Sequence, residues 1–500
     1  MHRLDAVLGR VTMYRLVLLV LLTIAAAAEV GSLLGAVPFD PRALPVTALL
    51  AVGVTVGVTR LLAAAWRLAP HTESSVITGL LVFFLFLPVL DAQDLVALVA
   101  AAAFAGASKH LLAWHGRHVF NPVAIGAVLV TVLHLGGATW WVATPVLLPL
   151  ILVGGALVVL RTRTLEVALP VAAIPIAGTA LLITGFGTPL LPALGSAVAS
   201  YPYLFLAVFM ATEPLTLPPR RGQRLLVGVV VGVVALLPLH LAWIAMAPEI
   251  ALVVGNAVAF AFGPKRRVRL VLEDRRTLPG GIGDLVFRSE RPLPLRAGQY
   301  LELSLPHRRS DGRGARRVFS PANRPGTDEV RVVTRWAPKG SSFKRQLAAL
   351  PPGAVVAGSA IGGDFLLPRS ASAPLLWIAG GIGITPFASF ADDLGARGER
   401  RDVVLVHVAS TPGDLLLAPA FEAAHVRGLV VGPPRLQESL PPGWTLAADR
   451  LERLDLAAVV PDVASRIAYL AGSPGVVAAA RRLARSAGVR RIRTDRFLGY

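Results

Sequence analysis

Arg316 to Ser320, in the phrase ARRVFSPANRP, combines a guanidinium, an aromatic ring and a hydroxyl within a few residues. Side chains alternate along an extended strand, so Arg317 and Phe319 share one face and Ser320 takes the other face or the following turn. A guanidinium can hold a phosphate oxygen, an aromatic face can stack on a planar ring, and a hydroxyl can donate to a ring nitrogen. A flavin offers all three partners. A basic edge strand reads the same way, so this segment alone leaves both readings open.

Further candidates lie downstream. In PKGSSFKRQL, Gly340, Ser341 and Ser342 open a helix whose free N–H groups, hydroxyls and dipole suit a pyrophosphate, with an ordinary serine cap as the alternative. In PLLWIAGGIGITPFASFADDL an apolar strand runs into a glycine turn and a helix. Gly380, Gly381 and Gly383 permit close backbone approach there, and Thr385 and Pro386 start the helix. AGSPGVVAAARRLARSAG repeats the strand–turn–helix pattern with Gly472, Ser473 and Pro474 at the turn. Past DVVLVHVAS come Ser410, Thr411 and Asp414. Hydroxyls suit a 2′-phosphate and an aspartate suits a ribose 2′-hydroxyl, so NADH and NADPH both stay open. The sequence ends RTDRFLGY, with Tyr500 last.

These motifs need a scaffold, and 500 residues allow two or three domains. Composition changes near Pro264. Before it charges are sparse and apolar runs long; after it Arg, Asp and Glu reach the density of a soluble domain. Without cysteine there are no disulfides, thiolate metal sites or cysteine nucleophiles. The net charge of +19 comes from basic residues that flank apolar runs or scatter through the second half, a pattern of membrane orientation rather than nucleic-acid binding.

Apolar runs predict about ten spans, near 13–37, 43–59, 75–90, 95–108, 122–135, 145–160, 167–185, 201–217, 225–246 and 250–263. Alternate loops carry the basic residues (Arg60, Lys109, Arg117, Arg161, Arg163, Arg220, Arg221 and Arg224 among them), which places both termini and the second half in the cytoplasm of a bacterial-type membrane. Polar or proline-interrupted positions at membrane depth are costly and mark a site or pathway, or else a snorkelling or helix-bonding side chain. Asn121-Pro122, Thr212-Glu213 and Asn256 are such positions. Beyond Lys265, alternating stretches predict a small antiparallel barrel (265–369), followed by an α/β domain (370–500).

FNPVAIG, FMATEP and TGLLVFFLFLP resemble the membrane-embedded component common to sodium-translocating NADH:quinone reductases and Rnf complexes. That resemblance implies two five-helix repeats, a flavin (FMN or riboflavin) within the membrane domain, and electron transfer coupled to ion transport; Asn121, Pro122, Thr212, Glu213 and Asn256 are the candidate site residues of that half. The family attaches FMN through a Ser/Thr-Gly-Ala-Thr signature, but ITGFGTPLLPALGS here contains none. Covalent attachment is therefore not carried over.

AGQYLELSLP, RRVFS, PKGSSF and the two glycine turns, in that order, resemble the ferredoxin–NADP reductase superfamily. The resemblance assigns Arg317 to an FAD phosphate and Phe319 to stacking on the isoalloxazine. It places Ser320 at the ring N5, and so Ser320 and Phe319 at the reacting group. Gly340 to Ser342 go to the pyrophosphate, Gly380, Gly381, Gly383, Thr385, Pro386, Gly472, Ser473 and Pro474 to NADH or NADPH, and Tyr500 to the terminal aromatic. Many relatives have Tyr for Phe319 and Cys-Gly-Pro for Ala471-Gly472-Ser473. The expectation is a membrane-bound NAD(P)H:acceptor oxidoreductase. It would pass electrons from FAD to a membrane flavin, a quinone or another redox partner, with further electron-transport proteins as company and no metal site. A transmembrane ferric or haem-type reductase, or a transporter with a redox-sensing soluble half, are the alternatives.

Overall fold

The computed structural model describes residues 11–66, 71–114, 117–237, 240–241, 244–245, 247–263, 268–307, 311, 314–336 and 340–497. It divides into two compact units, Arg10–Gly263 and the residues from Pro264 onward.

The first unit is helical. Its main helices are α1 (Met13–Leu33), α2 (Ala43–Ala65), α3 (Thr72–Leu85), α4 (Ala92–Leu111), α5 (Pro122–Val132), α6 (Leu148–Thr162), α7 (Leu165–Gly185), α8 (Leu190–Ala199), α9 (Tyr203–Met210), α10 (Arg221–Leu236) and α11 (Pro248–Phe262). Each of the ten expected spans overlaps one of these, four of them at spanning length. By length and composition α1, α2, α4 and α7 can cross a membrane, and a fifth span arises only if α8 and α9, bent by 54°, count as one. Helix α8 falls outside the ten expected spans; it begins within the stretch ITGFGTPLLPALGS, whose Gly and Pro residues interrupt the apolar run.

Proline explains two of the shortened helices. The residue before a proline is pushed out of the helical region. Accordingly α3 ends before Leu87-Pro88, with Phe86 already extended, and α9, which closes in a π turn, ends before Glu213-Pro214. Carbonyls freed at the end of α3 still need donors. The backbone N–H groups of Thr139 and Trp140 donate to Leu85 O at 2.7 and 3.0 Å. The Trp141 indole N–H donates to Phe83 O at 2.6 Å.

Packing repeats along the unit. Helix α2 packs on α3 and α4, and α4 on α5; likewise α7 packs on α9 and α10, and α10 on α11. Helix α1 meets α6, and α5 meets α11. Small residues let the backbones approach. A Cβ on Gly79 would lie 2.5 Å from Val52 Cα, and one on Gly232 would lie 2.6 Å from Pro170 O.

The second unit contains two six-stranded sheets. The first runs β4-β3-β6-β1-β2-β5, all antiparallel, from β1 (Val268–Leu278), β2 (Ile282–Ser289), β3 (Tyr300–Ser304), β4 (Arg316–Phe319), β5 (Glu329–Arg335) and β6 (Val355–Gly362). Leu270, Phe287, Leu301, Val330 and Val356, drawn from five of its strands, bury into one core with Phe343 and Leu347 of α12 (Ser342–Ala348). The sheet therefore curls, yet β4 and β5 are not paired as strands. Past the end of β4, the Ala322 N–H donates to Arg331 O at 2.8 Å. The edges of this curled sheet thus meet through that bond and not through a ladder, because Pro321 cannot donate to one and the chain turns away there.

The second sheet runs β10-β9-β8-β7-β11-β12, all parallel, from β7 (Leu375–Gly380), β8 (Val403–Val408), β9 (Arg427–Val431), β10 (Thr445–Ala448), β11 (Ile467–Gly472) and β12 (Ile492–Arg496). Alternate residues of β7 enter different cores. Leu375, Trp377 and Ala379 lie on one face with α13 (Thr385–Ala396), and Leu376 and Ile378 on the other with α14 (Pro474–Ser486). A sheet covered on both faces reads as unbroken apolar runs, which is why LLWIAG, VVLVHV and IAYLAG are legible. The weaker β9, β10 and β12 are not.

Candidate functional site

Strand β4 is an edge strand, paired only with β3 (Leu301↔Phe319, Leu303↔Arg317). Arg317 and Phe319 do share a face, and both rest on Phe343 of α12. The guanidinium carbon is 5.4 Å from that ring centroid, and the Phe319 ring centroid is 6.1 Å away. Val318 points out, 57 % exposed, while Arg317 and Ser320 are buried.

Helix α12 brings Ser341 and Ser342 to the same place. Ser341 caps it, accepting from the Lys344 N–H at 3.3 Å. Ser342 has a different role. Its N–H donates to Asp311 Oδ2 at 2.8 Å, and its hydroxyl accepts from the Asp311 N–H at 2.9 Å and meets His307 Nε2 at 2.9 Å. Asp311 also lies 3.6 Å from the Arg317 guanidinium. A carboxylate thus bridges the arginine and the serine N–H, so this donor set already accommodates an anion. Lys344 adds positive charge; burial and the Arg317 charge both lower its pKa. Gly340 precedes this cluster. His307, Asp311 and Phe343 escaped sequence reasoning, because neither spacing nor type marked them.

The glycine turns meet at the point where strand order reverses. From β7 the chain adds β8, β9 and β10 to one side, then returns to place β11 on the other. Ligands of open α/β sheets bind outside the carboxyl ends at such a point. Gly380 ends β7, Gly381 sits at φ +50° and Gly472 at φ +143°. A Cβ on Gly383 would lie 2.4 Å from Ala471 O and 2.5 Å from Gly472 Cα, so only glycine lets the two strand ends touch. Thr385 and Pro386 start α13; Ser473 caps α14 ahead of Pro474, accepting from the Val476 N–H at 3.4 Å. We expect Gly383→Ala to cost about 3 kcal/mol by overpacking against backbone that cannot yield, read as a lower unfolding midpoint together with weakened nucleotide binding. Tyr500 lies outside the described residues.

Behind the turn His407 is fully buried, its Nε2 3.2 Å from Gly381 O. A carbonyl only accepts, so Nε2 carries the proton and donates. Burial pushes the imidazole down to about 4, against the opposing pull of Asp414 and the Gly381 carbonyl. A folded pKa below the unfolded value means the unfolded chain binds the extra proton first. His407 therefore contributes stability in full above pH 6.5 and loses it as pH falls toward 4. The loss is about 3 kcal/mol. Urea unfolding followed from pH 7 to pH 4 should show this slope, reduced in His407→Gln.

Asp414, 3 % exposed, accepts at Oδ2 from the Ser410 N–H (2.9 Å), the Thr411 N–H (3.0 Å) and the Thr411 hydroxyl (3.2 Å), and its Oδ1 pairs with Arg335. Burial resists its ionisation, but these donors outweigh that and hold the carboxyl below the usual range.

In the first unit the structure brings Asn121, Glu213 and Asn256 together, although 135 positions separate the ends of the set. The Asn121 side-chain oxygen caps α5 by accepting from the Val123 and Ala124 N–H groups, both at 3.1 Å. Its amide donates to Glu213 Oε2 at 2.9 Å, and its backbone N–H donates to Asn256 Oδ1 at 2.7 Å. His118 joins them, Nε2 lying 2.5 Å from Glu213 Oε1. Pro122 is the first residue of α5, and the Thr212 hydroxyl donates to Val208 O at 2.8 Å, back along its own helix. A cavity of about 60 Å³ beside the cluster is lined by Tyr14, Ser74, Asn121, Phe209, Thr212 and Glu213 among others.

No protein-family model matches the chain. It is 30 % identical over 205 residues to an NADPH oxidoreductase of Mycobacterium tuberculosis, covering 40 % of this chain and 51 % of that protein. It is 33 % identical over 147 residues to DmpP, the reductase component of phenol 2-monooxygenase from Pseudomonas sp., covering 29 % of this chain and 40 % of that protein. The chain thus spans about half or less of the length of these relatives. Among solved structures, it aligns with a Neisseria gonorrhoeae ferredoxin NADP+ reductase at 18 % identity and TM-score 0.38, covering 47 % of this chain and 99 % of that one. A ferredoxin reductase of carbazole 1,9a-dioxygenase aligns at 20 % identity and TM-score 0.38, covering 46 % and 69 %. Over its C-terminal half the chain is similar to these reductases.

Proposed function

We propose that the chain is an NAD(P)H-dependent flavoprotein reductase whose C-terminal half takes a hydride from the nicotinamide onto FAD, and whose N-terminal half receives electrons at a membrane. The observation that carries the first part is the carboxylate held between Arg317 and Ser342: an anion fits where a flavin phosphate would have to lie. Arg317 would pair with that phosphate, displacing Asp311, and Ser341 and Ser342 would supply hydroxyl and N–H donors. Phe319, half-buried on Phe343, would offer its free face to the ring, and Ser320 would direct its hydroxyl toward it. Close contact of Gly383 with Gly472 shapes the bed for the dinucleotide. Bound FAD supplies the conversion of a two-electron donor into single-electron steps.

For the membrane half, the support is the Asn121–Glu213–Asn256–His118 cluster beside a cavity, in a unit with four helices long and apolar enough to span. Paired polar groups of this kind inside an apolar bundle mark a site. Glu213 and His118 hold a proton at 2.5 Å and can exchange it with an acceptor being reduced, a flavin or a quinone. Loop charges orient the soluble half to the cytoplasm.

Cofactor extraction tests this reading. FAD in near-unit ratio to the chain, reducible by NADPH or NADH, is expected. Protein that folds, carries no flavin and oxidises neither nucleotide would refute it.

A further inference from the structure

Whether this chain would use NADH or NADPH turns on what meets the ribose 2′ position, past the end of β8. An aspartate there accepts from a ribose hydroxyl, whereas a nearby arginine accommodates a 2′-phosphate. Asp414 is the acid in that loop, and it is saturated. An ionised carboxylate offers about four lone-pair sites. Asp414 spends them on the Ser410 N–H, the Thr411 N–H, the Thr411 hydroxyl and Arg335, and it is 3 % exposed. Recruiting it to a ribose would break the bonds that shape the loop. Thr411 is committed too: its hydroxyl donates to Asp414, and its side chain packs so tightly on Gly280 that a Cβ there would lie 2.6 Å from Oγ1.

What remains open to solvent is Ser410 and, over it, Arg435 from the turn after β9. That turn is pressed onto the end of β8, since a Cβ on Gly432 would lie 2.3 Å from Ala409 O. From there the exposed Arg435 guanidinium donates to Ser410 O at 3.2 Å. Among the described residues it has no acidic partner, and it and Ser410 are both exposed.

We propose that Arg435 and Ser410 form a 2′-phosphate pocket, so that this chain selects NADPH over NADH. The proposal rests on the reductase reading above and deepens it. A planar fork of donors with a hydroxyl beside it matches a phosphate dianion, while a bare ribose 2′-hydroxyl gains nothing from the guanidinium.

Steady-state reduction of ferricyanide by the purified, FAD-loaded full chain tests it with both nucleotides. Wild type should show a KM for NADPH at least about tenfold below that for NADH. Arg435→Ala should raise the NADPH KM by about 10- to 100-fold, with kcat and the NADH KM nearly unchanged. Arg435→Lys should restore part of the loss. Ser410→Asp, adding a carboxylate at the exposed strand end, should impair NADPH and spare NADH. If wild type prefers NADH or does not discriminate, or if Arg435→Ala impairs both nucleotides equally, the pocket is wrong although the reductase stands. Reduction of the flavin by neither nucleotide would defeat the reductase reading itself.

Discussion

Arg317→Ala should purify largely without FAD and lose NAD(P)H oxidation in proportion. The side chain is buried on an edge strand, stacked on Phe343 and 3.6 Å from the Asp311 carboxylate. A buried charged group of this kind contributes about 1.5–3 kcal/mol per hydrogen bond. Losing its phosphate contacts should weaken FAD by roughly a hundredfold or more. Arg317→Lys should recover only part, because a point charge does not reproduce the fork. Flavin-to-protein ratio after gel filtration, with circular dichroism to confirm folding, reads the effect. Unchanged flavin content would remove Arg317 from the site.

The second large effect belongs to the other unit. Glu213→Ala should leave NADPH-driven reduction of ferricyanide intact and depress reduction of a quinone by about tenfold or more. Glu213 accepts from Asn121 and pairs with His118, so its loss leaves both polar groups without their carboxylate inside an apolar bundle. Glu213→Gln keeps the Asn121 contact but cannot exchange a proton, which separates positioning from proton handling. If both substitutions leave quinone reduction at the wild-type rate, the cluster is structural.

The two units differ in how much of them can be read in advance. Period-two alternation and unbroken apolar runs mark most of the strands, since those patterns follow directly from which faces are buried. That the edges of the curled first sheet, β4 and β5, meet without a ladder is not legible, because it depends on how the chain turns after Ser320. In the helical unit, hydropathy locates each apolar run but not the length of its helix. Prolines at 88 and 214 cut helices where apolar character continues, and apolar character alone is what hydropathy measures.

Site residues divide the same way. Arg317, Phe319 and the paired glycine turns stand out because their types are unusual at those spacings. The turns do touch, as Gly383 does Gly472. Asn121, Glu213 and Asn256 stand out as polar residues in apolar runs, but nothing in the sequence announces that they meet. His118 looks like a loop histidine, and Asp311 and His307 look like surface. Their importance comes from tertiary partners: Asp311 reaches across 31 positions to Ser342, and His118 across 95 to Glu213. Asp414, a candidate ribose ligand on sequence alone, already accepts from four donors, three in Ser410 and Thr411 and the fourth on Arg335.

Anaerobic stopped-flow mixing of the detergent-purified chain with NADPH, followed by a quinone, tests the central claim most directly. Rapid bleaching of protein-bound flavin by NADPH is expected, then its return on quinone addition in the wild type, with the second phase slowed in Glu213→Ala. Flavin that stays oxidised on mixing with NADPH, or reduced flavin that quinone never reoxidises, would contradict the account.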